Sequence, residues 1–169
     1  MTRKSLTHLI TASLFAALVT VFTAYIGHIP MPGTGGYVHF GDALIFLAAC
    51  LLPAPYAVAA AALGAGLADI LVFPAYAIPT IIIKAGIALC FSAKKEKIIC
   101  LRNALALLPA AVITLGGYFL AEGILFGWQA ALLQSLTGNL LQVLGSAAAF
   151  IALAAVLDRM KIKQKFLNK

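Results

Sequence analysis

The sequence predicts an all-α integral membrane protein, a single domain of six transmembrane helices with both termini cytoplasmic. Three observations predict it. Of 169 residues, 63% are hydrophobic and 10% charged, with a mean hydropathy of +1.05; soluble domains hold about 45–50% apolar and about 25% charged residues. Apolar runs of membrane length recur along the whole chain. The basic residues cluster in alternate connections between those runs, as the positive-inside rule requires.

The first span is 5–27. Arg3 and Lys4 precede it in the manner of a signal peptide, but the run is too long for a signal core and further spans follow. The second, 38–52, is short. Pro53-Ala54-Pro55 closes it and makes a tight turn between two helices rather than a bend in one, because proline removes a helical donor and restricts the residue before it. The remaining spans are 56–73, 75–92, 103–126 and 130–157. With both ends inside, Arg3, Lys4, Lys94, Lys95, Lys97, Arg102, Arg159, Lys161, Lys163, Lys165 and Lys169 all lie on the cytoplasmic side, eleven of the twelve Lys and Arg. The net charge of +7 therefore sets orientation and contact with the lipid bilayer, and does not point to nucleic acid.

The twelfth basic residue, Lys84, falls within the fourth span. Asp42, Asp69 and Glu122 also lie in or beside the bilayer. An ionised side chain at mid-bilayer costs about 2.5–3.5 kcal/mol on insertion scales, so each needs a local reason. Topology puts Asp42 near the outer start of span two, and Asp69 and Glu122 a turn from the outer ends of spans three and five. Asn139 and Gln142 fall in the outer half of span six. Together these residues describe one cavity open to the outside, with His39 at its edge. Beside it lies a loop whose Gly33, Gly35 and Gly36 reach backbone angles closed to other residues, as a gate requires. Tyr37, Tyr76 and Trp128 are placed to stack on a flat ring.

Each group also has a structural reading. Asp42 suits a helix cap, and His39 a polar edge. Asp69 and Lys84 suit an ion pair between neighbouring helices, and Asn139 and Gln142 suit helix–helix hydrogen bonding. The three aromatics suit an interfacial belt. With Asp42, Asp69, Glu122 and Lys84 all charged, the cavity carries −2, which favours a ligand rich in amine or N–H donors.

In span one, Ala12, Ala16 and Thr20 form a four-residue repeat of small side chains that admits another helix closely. Span three is small all round, from Ala57 to Ala68, and reads as central to the bundle. No phosphate loop, HExxH or GxSxG motif is present, so nothing indicates an enzyme or a bound cofactor. Cys50, Cys90 and Cys100 are odd in number and scattered, and form no disulfide or metal pattern.

Several motifs carry a resemblance: Ala12-x-x-x-Ala16, Gly35-Gly36-Tyr37-Val38-His39-Phe40-Gly41-Asp42, Leu67-Ala68-Asp69, Pro79-Thr80-x-Ile82-Ile83-Lys84, Glu122 with Gly127, and Asn139-x-x-Gln142. In this order the chain resembles the substrate-capturing S components of energy-coupling factor (ECF) micronutrient transporters. The resemblance implies a prokaryotic plasma-membrane protein with a small-molecule ligand held near the outer surface. It implies a lid formed by the first loop and docking of the Ala12–Ala16 face on a transmembrane coupling protein driven by two ATPases. His28-Ile29-Pro30, Leu51-Leu52-Pro53-x-Pro55-Tyr56-Ala57 and Gly127-Trp128 look most like the branch proposed for queuosine or queuine. Related S components take pyridoxine, hydroxymethylpyrimidine or riboflavin. Two other classes stay open: an independent cation or proton transporter relaying through Asp42, Asp69, Glu122 and Lys84, and an enzyme using His39 and Asp42. A metal site of His39, Asp42 and Asp69 is a further possibility without support in the spacing.

Overall fold

The structure is a computed structural model that describes residues 2–26, 29–30 and 37–167, without the side chains of 30, 37 and 165–167. Gly33, Gly35 and Gly36, expected to form the gate, and the Tyr37 side chain lie outside the described residues.

Helix α1 (Arg3–Val21) starts where Thr2 Oγ1 accepts the Ser5 amide at 3.3 Å, and it runs into a π-helical turn at Phe22–Ile26. A two-residue antiparallel pairing follows, β1 (Ile29–Pro30) with β2 (Tyr37–Val38), Ile29 opposite Val38. Because residues 37–38 are extended, the next helix, α2, begins at Asp42 and ends at Leu51, not at the 38–52 expected from hydropathy. Its 10 residues rise about 15 Å, half of a hydrocarbon core of about 30 Å. Asp42, Ala43 and every residue from Ile45 to Cys50 are buried. The run is apolar on all faces because α2 sits inside the protein, and that is the other reason a helix lacks a polar side.

After Leu52 and Pro53, helix α3 (Ala54–Val72) starts with Pro55 in its first turn, where the missing N–H goes unmissed. A 3-10 turn, Pro74–Tyr76, leads into α4 (Ala77–Cys90). Two helices make up the fifth expected span, α5 (Leu101–Leu105) and α6 (Leu107–Phe126). Gly127, at φ +91°, is the only residue between α6 and α7 (Trp128–Gln134), an angle rarely open to other residues. The last segment is α7, a π-helical turn at Ser135–Asn139 and α8 (Leu140–Arg159); α9 (Ile162–Leu167) follows.

Among the described residues, four helical stretches are long and apolar enough to cross a membrane: Arg3–Ile26, Ala54–Val72, Leu101–Phe126 and Trp128–Arg159. Asp42–Leu51 and Pro74–Cys90 are shorter apolar helices. Large apolar side chains such as Ile10, Leu14, Ile78, Ile82, Val112 and Ile124 point outward, on a scale that soluble surfaces avoid. This is a multi-pass membrane protein. Of the four, α3 is the most enclosed, 44% buried against 22% in each of the others.

The helix ends sort into two groups. At one, the Ser5 and Tyr56 hydroxyls meet at 3.0 Å, Arg102 donates to the Cys90 carbonyl at 3.0 Å, and Asp158 accepts the Ile98 and Ile99 amides at 2.8 and 2.9 Å. These contacts fasten the basic segments together. At the other end, Phe73, Tyr76 and Phe126 form a ring cluster with centroids 5.3–6.1 Å apart. Between the two ends lies the apolar core, where Phe46 of α2 stacks on Phe91 and Phe150 meets both rings edge-on.

Candidate functional site

The cavity at the aromatic end is lined by His39, Asp69, Tyr76, Thr80, Tyr118, Glu122, Gln134, Asn139 and Gln142. Six of the ten residues singled out from sequence are among them. The cavity is tight. It encloses about 20 Å³, room for roughly one water. Its walls come from the ends of α3, α4 and α6, the π-helical turn and the start of α8.

Glu122 accepts from two residues. Asn139 Nδ2 donates to its Oε1 and Oε2 at 3.3 and 3.2 Å, and the Tyr76 hydroxyl donates to Oε1 at 3.3 Å. Asn139 and Gln142 therefore face carboxylates rather than each other: Gln142 Nε2 donates to Asp42 Oδ2 at 3.2 Å. Asp69 is 4% exposed and lies on the same wall as Tyr76. His39 is buried, and its Nδ1 accepts the Gly41 amide at 3.2 Å.

The expected Asp69–Lys84 pair is not formed. Lys84 Nζ sits 2.7 Å from Asp42 Oδ1 and 2.9 Å from Oδ2, and both side chains are buried. The reason is geometric. Asp42 opens α2 inside the bundle, facing the middle of α4, whereas Asp69 is near the far end of α3. Lys84 Nζ also lies 5.0 Å over the Tyr118 ring, a favourable cation–π placement. Asp42 and Lys84 thus form a neutral floor below the cavity and do not line it. The carboxylates left on its wall are Asp69 and Glu122.

Trp128 does not line the cavity. It is 55% exposed and packs on Phe119 at 5.6 Å and against Gly123, because the Gly127 turn folds it back along the outside of α6. Among the described residues, no group of three or more His, Cys, Asp or Glu side chains is placed to hold a metal ion. The residues His39, Asp42 and Asp69 therefore do not come together as ligands.

Three lining residues were missed from the sequence. Tyr118 is four residues before Glu122 and Thr80 four before Lys84, so helical spacing already placed each on the face of a polar partner. They also meet each other, with hydroxyls 2.9 Å apart. Gln134 is five residues from Asn139, off-register for an α-helix. The π-helical turn between them adds a residue per turn and restores the alignment.

The small-residue face of α1 meets α3. Ala12 is 6% exposed, Thr20 Oγ1 donates to the Gly64 carbonyl at 2.8 Å, and a methyl added at Gly64 would stand 2.7 Å from the Ala16 carbonyl oxygen. Along the outer edge of this seam runs an apolar groove of about 570 Å³, bordered by Leu9, Ala12, Ala16, Leu63 and Leu67.

A sequence model of the family described as "ECF-type riboflavin transporter, S component" matches residues 3–159. A shorter match links the chain to an uncharacterized protein in the gap 3′ region of Pyrococcus woesei, 39% identical over 66 residues, which are 39% of this chain and 44% of that protein. The chain thus spans under half the length of that relative.

Proposed function

This chain belongs to the family of ECF-type riboflavin transporter S components, and from that premise we propose that it captures queuosine or queuine from outside the cell for an ATP-driven ECF transporter. The supporting observation is the pair of carboxylates, Asp69 and Glu122, on one buried wall with the amides of Gln134, Asn139 and Gln142. A carboxylate accepts two N–H bonds at once from a guanine-like edge, and a second one offsets the basic amine of the same ligand. Tyr76 and Tyr118 supply ring faces, and the Asp42–Lys84 floor holds the polar base of the site rigid.

In this reading the protein is a six-helix body in a prokaryotic plasma membrane, both termini cytoplasmic and the cavity outward. Opening the cavity to a ring-sized ligand falls to the segment around Gly33, Gly35 and Gly36. Ala12 and Ala16, through the groove they border, dock on the transmembrane coupling protein, and two ATPase subunits drive the cycle. Hydrolysis belongs to those partners.

Riboflavin is the second reading, favoured by the description of the matching family. Its flat ring presents mostly acceptors, which pair poorly with two carboxylates. Titration of the purified chain with queuine and with riboflavin separates the two. We expect queuine to bind, and Glu122→Gln and Asp69→Asn each to weaken it at least about tenfold, the effect of losing a charge-assisted hydrogen bond of about 1.5–3 kcal/mol. Riboflavin binding that ignores both substitutions would replace the queuine reading. Cation uptake by the chain alone in liposomes would replace both.

A further inference from the structure

Gln134 is the last residue of α7, and the π-helical turn after it runs from Ser135 to Asn139. It is 3% exposed and shares the cavity lining with Asn139 and Gln142. Those two amides are each tied to a carboxylate, Glu122 and Asp42. Gln134 reaches the same wall from the other end of the π-turn, and several side-chain torsions must be ordered for its amide to keep one position.

Its amide lies where a neighbour has no side chain. A methyl placed on Gly138 would stand 2.6 Å from Gln134 Nε2, 3.1 Å from Cδ and 3.4 Å from Oε1. Helical Cα–Cβ bonds tilt toward the N-terminus, so a side chain at 138 would point back over the turn that carries Gln134. Gly138 is buried, and its φ is not in the left-handed region that favours glycine. The glycine is therefore needed for space and not for backbone conformation. Glycine is less favourable than alanine within a helix, and what it provides at 138 is room for the whole amide group.

We infer that Gly138 is a positioning residue of the cavity: it keeps open the space in which the Gln134 amide lies, and so fixes where that amide meets a ligand. This rests on the reading of the cavity as the substrate site. It also deepens that reading. An amide offers N–H donors and a carbonyl acceptor together, whereas ionised Asp69 and Glu122 only accept. Held at this place, Gln134 suits a planar ring whose edge mixes donors and acceptors, and Gly138 makes that match possible without touching the ring.

The test is a double-mutant cycle on the full chain in detergent, with Gln134→Ala, Gly138→Ala and both. It is read by melting temperature without ligand, and by affinity for queuine and for riboflavin. Without ligand, Gly138→Ala should be less favourable in the parent than in the Gln134→Ala background, where the space is empty and alanine's helix preference prevails. For the ligand that binds, each single variant should weaken affinity about three- to tenfold, the range for one uncharged hydrogen bond. The double variant should be no weaker than either single, a non-additivity that a merely structural glycine would not produce. Gly116→Ala, with no atom within 4 Å of the added methyl, should leave affinity unchanged. If Gly138→Ala has the same effect with and without Gln134 in either readout, the inference is overturned, and the glycine acts through Asn139 or the π-turn itself. A parent that binds neither queuine nor riboflavin overturns the proposed ligands instead, and the melting-temperature cycle still decides whether Gly138 places Gln134.

Discussion

The polar cavity and the α1–α3 seam are both contacts between helices, and they are built on opposite principles. In and just below the cavity, long polar side chains bridge elements that stand apart: Lys84 to Asp42, Asn139 and Tyr76 to Glu122, and Gln142 to Asp42. In the seam, side chains are nearly absent, and the backbones of Ala16 and Gly64 approach until a single methyl would not fit. The first region depends on every donor keeping its acceptor, the second on nothing being added. A membrane interior makes this contrast sharper than water does, since lipid offers no substitute partner to a stranded polar group and gives little hydrophobic reward for bringing helices together.

The largest break should come in the cavity floor. Lys84→Met strands the Asp42 carboxylate in the core, and removing one partner of a buried pair costs about 3–5 kcal/mol. Unfolding in mixed micelles should show the loss, and Asp42→Asn added to Lys84→Met should recover much of it. If the double variant is no better than the single, Asp42 is held by more than its lysine.

Next is the seam. Gly64→Ala should lower stability by about 1–3 kcal/mol, the usual range for overpacking. Gly116 serves as its control: no atom lies within 4 Å of a methyl added there, so Gly116→Ala should be neutral or stabilising by up to about 1 kcal/mol from helix propensity. Equal effects at the two glycines would show that helix propensity, and not close approach, governs both.

The smallest effect sharpens the comparison from the other side, because Thr20 is a polar residue within the seam. Thr20→Val removes its hydrogen bond to the Gly64 carbonyl and should cost about 0.6 kcal/mol, the average for such bonds between membrane helices. A loss several times larger would mean the seam rests on that hydroxyl more than on close packing.

Some of this was legible beforehand because it is local. Hydropathy marked every apolar helix, and Pro53-Ala54-Pro55 marked the turn before α3. The polar residues of the cavity stood out because each is costly in a bilayer and therefore rare, so position along a span was enough to gather His39, Asp69, Tyr76, Glu122, Asn139 and Gln142 at one level. Trp128 lies outside this group. A single left-handed glycine before it chose which side of α6 it covers, and depth along a span carries no information about azimuth.

By itself, then, the sequence determined the membrane class and the apolar helices, because transfer free energy and helical rise are properties of a segment alone. Only the tertiary structure decided that α2 is a half-length helix buried inside the protein, that Lys84 takes Asp42 instead of Asp69, that a π-helical turn brings Gln134 into line with Asn139, and that Lys163 is buried at the basic end. Each of these is a choice among partners on different helices. Such choices follow from rotation about helix axes and from which backbones can approach, and no window of sequence holds either quantity.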